Sequence, residues 1–240
     1  MAAGSLWSAD VEVLTRRGWL SRTPAVFQRE IIDLCTPRSV ARGQPVFVAG
    51  EAEADVFGTV SGHLDFLSRF SASDGPVVHI THPGFWFGFA PLLTGTARRL
   101  TVIARTDARL AVVRAKPLHG LLKKHPEWWR HLAVAIGEYA DIAANASSDL
   151  LIPENERRVV AVLLRLCDCR FPPPFGGPPQ EVPLTQAELA AMSNVSRNTL
   201  GTILRSLQDA GLISIGYGKI RPLQPEKLRV LVEAGGGWSG

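Results

Sequence analysis

Residues 184–220 constrain the fold of this chain more than any other segment, and they read LTQAELAAMSNVSRNTLGTILRSLQDAGLISIGYGKI. Thr185 and Glu188 form a T-x-x-E pattern that predicts a helix start, because the hydroxyl and the carboxylate can each satisfy a backbone N–H there. Residues 193–195 predict a short turn between two steeply angled helices, and Ser196 is a favourable N-cap for the second. A helix-ending glycine and a hairpin turned by two more glycines follow, at Gly211, Gly216 and Gly218. This order of elements predicts a winged helix-turn-helix.

The outer side of the second helix is suited to double-stranded DNA. No acidic residue occurs between Arg197 and Gln208, as expected for a helix that lies against phosphates. Arg197 can donate two hydrogen bonds to guanine and Asn198 is suited to adenine, whereas basic residues of the hairpin would contact phosphates. The candidate DNA-binding residues are Thr185, Gln186, Ser196, Arg197, Asn198, Gly201, Thr202, Arg205, Lys219 and Arg221. The alternative is a helical module that contacts another protein, because a basic helix face is often only solvated.

The composition is that of a globular protein of about two domains. The chain has 240 residues, of which 46% are hydrophobic and 20% charged, and its net charge of +4 favours an anionic partner only weakly. No apolar run approaches the roughly 20 residues that cross a bilayer, and the first residues lack the apolar segment of a signal peptide. We therefore expect a cytoplasmic protein that does not bind a membrane.

The N-terminal half combines helices with many short strands. Residues 6–35 have a helical pattern that is interrupted at Gly18 and Pro24. Residues 40–114 consist of short alternating or apolar runs that glycines separate at regular spacing, which predicts a small β-sandwich or jelly roll. The whole chain is therefore predicted to be an α+β protein.

A long helix is predicted after the strands. Its apolar positions repeat with a 4-3-4-3-4 spacing, which is typical of a coiled-coil seam. We expect this stripe to form a dimer interface: Leu132, Ile136, Tyr139, Ala143, Ala146 and Leu150. The alternative is that the helix packs on the β domain of its own chain.

The dipeptide Ile152-Pro153 marks a domain boundary, because proline disfavours helix in the preceding residue and is tolerated at the start of a new helix. A helix is predicted for residues 154–167, and the Pro- and Gly-rich residues 172–179 predict a loop. We expect N-terminal helices and a β domain over residues 1–126, a dimerisation helix and hinge over 127–152, a DNA-binding domain over 153–232 and a disordered tail over 233–240.

The three cysteines, Cys35, Cys167 and Cys169, have no partners at zinc-finger spacing. Free cysteine is most often a buried packing residue, and Cys167 and Cys169 end an apolar helix pattern. We expect inert thiols, with redox or metal chemistry as the alternative. No cofactor or metal is predicted.

Residues 30–230 resemble the Crp/Fnr family of bacterial transcription regulators. The segments that carry the resemblance, besides the helix-turn-helix, are 42–47, 50–51, 60–64, 82–84 and a stretch similar to the phosphate-binding cassette at 87–98. The resemblance implies an N-terminal cyclic-nucleotide-binding-like β-barrel (jelly roll), a long dimerisation helix and a C-terminal winged helix-turn-helix. It also implies a homodimer on a near-palindromic operator, with RNA polymerase as a further partner.

The resemblance also indicates where an effector would bind. Arg98 matches the family arginine that pairs with the cyclic phosphate, but Phe89 stands where cyclic-AMP-responsive members have a glutamate, and Arg99 replaces a small serine. A threonine–serine pair that reads adenine aligns with Ala143 and Ala144. Each unpaired group in a buried site costs about 1–3 kcal/mol, so the effector is expected not to be cyclic AMP, or to be absent. The candidate pocket residues are Gly88, Phe89, Arg98, Arg99, Tyr139 and Ala143.

Several interpretations of this pocket stay open. Arg98 and Arg99 could bind another anionic effector, such as a different nucleotide. Alternatively they form ion pairs and aromatic side chains fill the pocket, which would make the protein constitutively active: Phe85, Trp86, Phe87 and Phe89. A heme sensor would use ligands such as His79, His82 or Cys35. A cupin-like metalloenzyme is a distant alternative because the β half has a jelly-roll pattern. Such enzymes need an H-x-H pair, whereas the spacing of His79 and His82 puts their side chains on opposite faces of a strand.

The recognition helix departs from the family motif R-E-T-V-x-R, because residues 197–202 read RNTLGT. Asn198 replaces the glutamate that accepts from cytosine, and Thr202 replaces the second arginine. We expect Arg197 to read a guanine still, while the preference for the neighbouring cytosine is relaxed.

Overall fold

The chain folds into two compact units, Met1–Asp141 and Ile142–Gly240. The computed structural model describes residues 6, 8–68, 75–172 and 178–234. Within that part of the chain, no helix combines the length and the apolar character needed to cross a bilayer.

Three helices begin the first unit, as predicted for residues 6–35: α1 (Ser8–Arg16), α2 (Gly18–Ser21) and α3 (Ala25–Asp33). The break between α1 and α2 requires a glycine. Gly18 has a φ of +65°, and a Cβ there would lie 2.3 Å from the carbonyl oxygen of Gly84. The helical segment therefore packs its backbone directly against the turn that contains Gly84.

Among the residues described in this unit, eight strands form two four-stranded antiparallel sheets, which agrees with the predicted jelly-roll type of fold. The strands are β1 (Cys35–Val40), β2 (Pro45–Phe47), β3 (Val56–Ser61), β4 (Leu64–Leu67), β5 (Val77–Ile80), β6 (Trp86–Phe87), β7 (Thr101–Ala104) and β8 (Ala108–Val113). Their orders are β1-β8-β3-β6 and β2-β7-β4-β5. A short helix, α4 (Phe89–Thr94), follows β6, and α5 (Ala115–Lys124) with a 3₁₀ turn at Pro126–Trp128 follows β8.

Buried side chains from both sheets form one hydrophobic cluster, which includes Val46, Phe47, Phe57, Leu64, Phe87, Val102 and Leu110. A second cluster joins the helices to the strands and includes Leu14, Trp19, Phe27, Trp86, Phe89, Leu118 and Leu132. Phe87 and Phe89, which are one residue apart on either side of Gly88, thus belong to different clusters. Gly88 therefore marks the point where the chain passes from one cluster to the other.

The long helix α6 (Trp129–Leu150) exists as predicted, but one end of its apolar stripe has a different partner. Leu132 is fully buried by its own chain, and Ile136 and Tyr139 pack on the same hydrophobic cluster of the first unit. Leu132 is thus covered by its own chain, and the dimer interface stays a prediction. For this end of α6 the alternative holds, in which the helix packs on its own β domain. Ala143 and Leu150, further along the stripe, are exposed.

The second unit contains α7 (Asn155–Leu166), α8 (Gln186–Met192), α9 (Arg197–Asp209), β9 (Ile213–Gly216), β10 (Lys219–Pro222) and α10 (Pro225–Glu233). α7 matches the helix predicted for residues 154–167 and buries Val159, Val160, Leu163 and Leu164. Of the predicted loop at 172–179, residues 173–177 lie outside the described part of the chain, as does 235–240 of the predicted tail.

Candidate nucleic-acid interface and effector pocket

The first helix of the helix-turn-helix begins with the predicted capping box. The Thr185 hydroxyl accepts a hydrogen bond from the Glu188 backbone N–H at 3.2 Å, and the Glu188 carboxylate accepts one from the Thr185 backbone N–H at 2.9 Å. Both otherwise unpaired N–H groups are therefore satisfied before α8 reaches its first full turn.

The turn between α8 and α9 is tight because one residue adopts a left-handed conformation. Asn194 has a φ of +51°, which asparagine tolerates better than most residues. Ser193 before it is fully buried. Two residues later, the Ser196 hydroxyl accepts from the Thr199 backbone N–H at 3.1 Å and caps α9 as predicted. The apolar side of α9 is buried, through Leu200, Ile203, Leu204 and Leu207.

The opposite side of α9 is open to solvent. Arg197, Asn198, Thr202 and Arg205 are exposed, and we call these four residues, together with Gly201, the recognition face. A Cβ at Gly201 would meet no atom within 4 Å, so this position leaves room for a close partner. The recognition face thus presents two guanidinium groups and one side-chain amide, which are the donors that major-groove readout uses.

The hairpin of β9 and β10 forms the predicted wing, with Gly216 opposite Lys219. Arg221 is exposed. The Lys219 ammonium lies 2.9 Å from the carboxylate of Glu181, and both side chains are about half exposed. Tyr217, which was not among the candidate DNA-binding residues, is fully exposed at the tip of the wing between the two turn glycines.

In the first unit, Gly88 and Phe89 shape the cassette-like segment. Gly88 has a φ of +96° and caps α4. Phe89, the first residue of α4, is 1% exposed. Its ring lies 4.8 Å from the ring of Trp19 and 6.2 Å from that of Tyr139, centroid to centroid. The Tyr139 hydroxyl in turn donates to the backbone oxygen of Trp86. Phe89 therefore lies in an aromatic cluster with Trp19 and Tyr139.

Arg98 is buried, with 2% of its surface exposed. Its Nη1 donates to the carbonyl of Gly88 at 3.0 Å and its Nη2 to the carbonyl of Asp55 at 2.7 Å. The guanidinium also lies 4.2 Å from the centre of the Phe47 ring. Burial lowers the pKa of Arg98, and the charge of Asp55 opposes that change. Arg98 is thus held by two backbone carbonyls and an aromatic ring.

Arg99 and Ala143 are the remaining candidate pocket residues. Arg99 is exposed, unlike its neighbour. Ala143 belongs to the second unit. The Asp55 carboxylate, which accepts from Arg114 at 2.9 Å and from the Ala115 backbone N–H at 2.9 Å, also holds the start of α5. The structure therefore brings together Gly88, Phe89, Arg98 and Tyr139 within the first unit.

The cysteines and histidines have the surroundings of packing residues. Burial raises the pKa values of Cys35 and Cys169 to about 12. Burial also raises the pKa of Cys167 well above its usual range. The rings of His79 and His82 pack near that of Phe85. Among the described residues, no group of three or more His, Cys, Asp or Glu side chains is arranged to hold a metal ion.

Comparison with known proteins assigns both units. A cyclic nucleotide-binding domain matches residues 37–125, and a Crp-like helix-turn-helix domain matches residues 157–231. The transcriptional regulator SdrP of Thermus thermophilus is 31% identical over 178 residues, which cover 72% of this chain and 83% of that protein. The cyclic AMP receptor protein of the same organism is 25% identical over 184 residues, covering 76% and 82%.

A solved structure has the same fold. A CRP/FNR-family transcriptional regulator from Thermus thermophilus superposes with a TM-score of 0.59 at 23% identity, covering 83% of this chain and all of that one. The two domain matches lie in the order that the two units have here, with the nucleotide-binding type first. The chain therefore belongs to the Crp/Fnr family of DNA-binding transcription regulators.

Proposed function

We propose that this regulator binds a near-palindromic operator as a homodimer, and that binding requires no cyclic AMP. The hydrogen bonding of Arg98 is the observation that supports binding without cyclic AMP. A cyclic phosphate would need this guanidinium, whose Nη1 and Nη2 already donate to the carbonyls of Gly88 and Asp55. To turn outward, Arg98 would have to withdraw its donors from the buried carbonyl oxygen of Asp55 and the part-buried one of Gly88. Leaving a buried acceptor unpaired costs about 1–3 kcal/mol.

Phe89 supports the same proposal. A glutamate at this position could accept a hydrogen bond from a sugar hydroxyl, whereas a phenyl ring has no acceptor to offer. The ring is packed against Trp19 in a hydrophobic cluster, so it occupies space as well as lacking polarity. The abundance of the protein, rather than a cyclic nucleotide, would therefore set its activity.

The homodimer would form through the side of α6 that its own domain leaves open. Val134 is 51% exposed, and Gly137, Asp141 and Ala144 are exposed at successive spacings of three, four and three. This stripe lies opposite Leu132 on the helix, and its small residues allow close approach of a second α6. It replaces the buried end of the stripe that the sequence indicated.

Val134→Glu tests this interface, with Val26→Glu as the matched control because Val26 is also a surface valine on a helix of the first unit. Light scattering should give a dimer for the unaltered protein and for Val26→Glu, and a monomer for Val134→Glu. A dimeric Val134→Glu protein would place the interface elsewhere, and a monomeric unaltered protein would remove the dimer from the proposal.

The partners follow from this role. We place the regulator in the cytoplasm with its DNA, give it RNA polymerase as a further partner, and assign it no catalytic activity. The Arg197 side chain would read a guanine in each half-site, since it stands exposed at the start of α9.

The decisive experiment is fluorescence anisotropy on duplexes from the upstream region of its own gene, with and without cyclic AMP. The expected affinity is equal in both arms and falls steeply as salt rises, because phosphate contacts release counterions. Arg197→Ala should reduce discrimination at one guanine position. DNA binding that is tighter by about tenfold or more with cyclic AMP would overturn the proposal that binding requires no cyclic AMP.

A further inference from the structure

Arg158 is a buried arginine at the start of the buried, apolar part of α7. It is 9% exposed, and the residues that follow it, Val159 and Val160, are fully buried. A buried charge is costly unless hydrogen bonds replace its water. Arg158 lies inside the domain and is not one of the residues of the recognition face.

The guanidinium first binds the connection between α6 and α7. Its Nη1 donates to the carbonyl oxygens of Ile152 and, at 3.1 Å, of Pro153. Its Nη2 donates to the side-chain oxygen of Asn155, the first residue of α7. Ile152 and Pro153 lie between α6 and α7, outside both helices, and Arg158 supplies donors to their carbonyls.

The same guanidinium also binds the turn of the helix-turn-helix. Its Nε donates to the carbonyl of Ser193 at 2.8 Å, and its Nη2 lies 3.4 Å from the carbonyl of Asn194. Asn194 is the left-handed residue of that turn, and Ser196 caps α9 two residues later. The planar guanidinium of an arginine can donate to acceptors on two sides at once in a fixed geometry, which the ammonium of a lysine cannot.

We propose that Arg158 is a positioning residue for operator recognition, which fixes the start of α9 relative to the α6–α7 connection. It acts through Arg197 and Asn198, whose placement depends on the turn that Arg158 holds, and it touches no DNA. The inference rests on operator recognition by the recognition face, and is independent of the dimer interface and of the effector.

The test compares Arg158→Lys with Arg229→Lys in the full-length protein. Arg229 is a buried arginine of the same unit, 7% exposed, which donates to the carbonyl of Cys169 at 2.9 Å. Affinities are measured by anisotropy for the operator and for a scrambled duplex of equal length, at one salt concentration. The unfolding midpoint is measured for each protein.

Arg158→Lys should reduce operator affinity by about tenfold while scrambled-duplex affinity stays within about twofold, because phosphate contacts survive and base contacts do not. Arg229→Lys should leave the ratio of the two affinities unchanged even where its unfolding midpoint falls. Asn155→Ala removes one acceptor and leaves Arg158 in place, so it should lower the ratio by a smaller factor and serves if Arg158→Lys does not fold.

An unchanged ratio in folded Arg158→Lys, or in Asn155→Ala if the first variant is unfolded, would overturn the proposal. So would an equal loss of ratio in Arg229→Lys, since that would be a general consequence of destabilising the domain. Failure of operator recognition itself would appear differently, as an unaltered protein that binds the operator and the scrambled duplex equally.

Discussion

The carboxylate of Asp149, in the last turn of α6, forms a buried ion pair with the guanidinium of Arg165, in the last turn of α7. The Asp149 Oδ2 lies 3.0 Å from the Arg165 Nε, and the two side chains are 3% and 8% exposed. Arg170 reaches the other carboxylate oxygen at 3.3 Å. One buried anion therefore joins the end of α6 to the end of α7 and to the segment after it.

Asp149→Asn should destabilise the second unit by about 3–5 kcal/mol, because removing one partner leaves the buried Arg165 charge uncompensated. Urea denaturation followed by circular dichroism measures the change. Glu181→Gln is the matched control, since it breaks an ion pair with Lys219 in which both side chains are about half exposed, and it should cost about 0–1 kcal/mol. Equal midpoints for the two variants would contradict the assignment of Asp149 as a structural anchor.

The helix-turn-helix could be predicted from sequence because its signals are local. The Thr185 and Ser196 caps each act on a backbone N–H three residues ahead, so the pattern and the bond are visible together. The identity of what covers Leu132 could not be predicted in this way. A 4-3 spacing identifies the apolar side of a helix, but whether that side meets its own domain or a second chain depends on tertiary packing.

The hydrogen bonds of Arg98 could not be predicted from the sequence either. The family resemblance singled out this residue, but its acceptors are main-chain carbonyls 10 and 43 positions away. Because every residue type carries a carbonyl, no sequence pattern marks these acceptors. Arg158 presents the same difficulty, because four of its five acceptors are backbone oxygens. The hydrogen bonds of these two buried arginines to main-chain carbonyls therefore could not be predicted from the sequence alone.

Gly88→Ala should destabilise the first unit by about 3 kcal/mol or more. Its φ of +96° disfavours any Cβ, at about 1–2 kcal/mol. The added atom would also lie 2.7 Å from the Asp55 carbonyl oxygen and 2.9 Å from the Arg98 Nη1, which forces the Arg98 hydrogen bonds apart. Tryptophan fluorescence in a urea titration reports the loss, since Trp86 lies in this core.

Gly95→Ala separates the two contributions. Gly95 also has a positive φ, of +65°, but a Cβ there would meet nothing within 4 Å. Gly95→Ala should therefore lower the free energy of unfolding only by the conformational cost of the positive φ, about 1–2 kcal/mol. If Gly88→Ala were no worse than Gly95→Ala, the close packing of Gly88 against Arg98 would not contribute to stability.

The three thiols should resist alkylation in the folded protein. With a pKa of about 12, Cys35 and Cys169 are thiolate in only about one part in 10⁴ at pH 8, against about a quarter for an ordinary thiol. Mass spectrometry after iodoacetamide treatment should find little labelling in buffer and full labelling in guanidinium chloride. Rapid labelling of the folded protein at pH 8 would support the redox alternative.

The same pKa shifts have a consequence for stability. The folded-state pKa is raised above the unfolded value near 8.5, so the folded chain keeps protons that the unfolded chain releases. Stability from these thiols is fully present below about pH 8 and falls as pH rises toward 12. The free energy of unfolding, measured between pH 8 and 10, should therefore decline, and less steeply when Cys35 is replaced by alanine.

Asn198→Glu should change which base the regulator prefers. Asn198 is exposed in the first turn of α9, where it is suited to adenine, whereas a glutamate accepts from cytosine; a good contact of either kind discriminates by about 1–3 kcal/mol. Selection from randomised duplexes should show one half-site position move from adenine to cytosine. Gln208→Glu makes the same charge change at an exposed position near the other end of α9, and should weaken binding to all sequences without altering base preference. An unchanged base preference in Asn198→Glu would mean that this side chain does not reach a base. A changed base preference in Gln208→Glu would mean that residues beyond the first turn of α9 also contact bases.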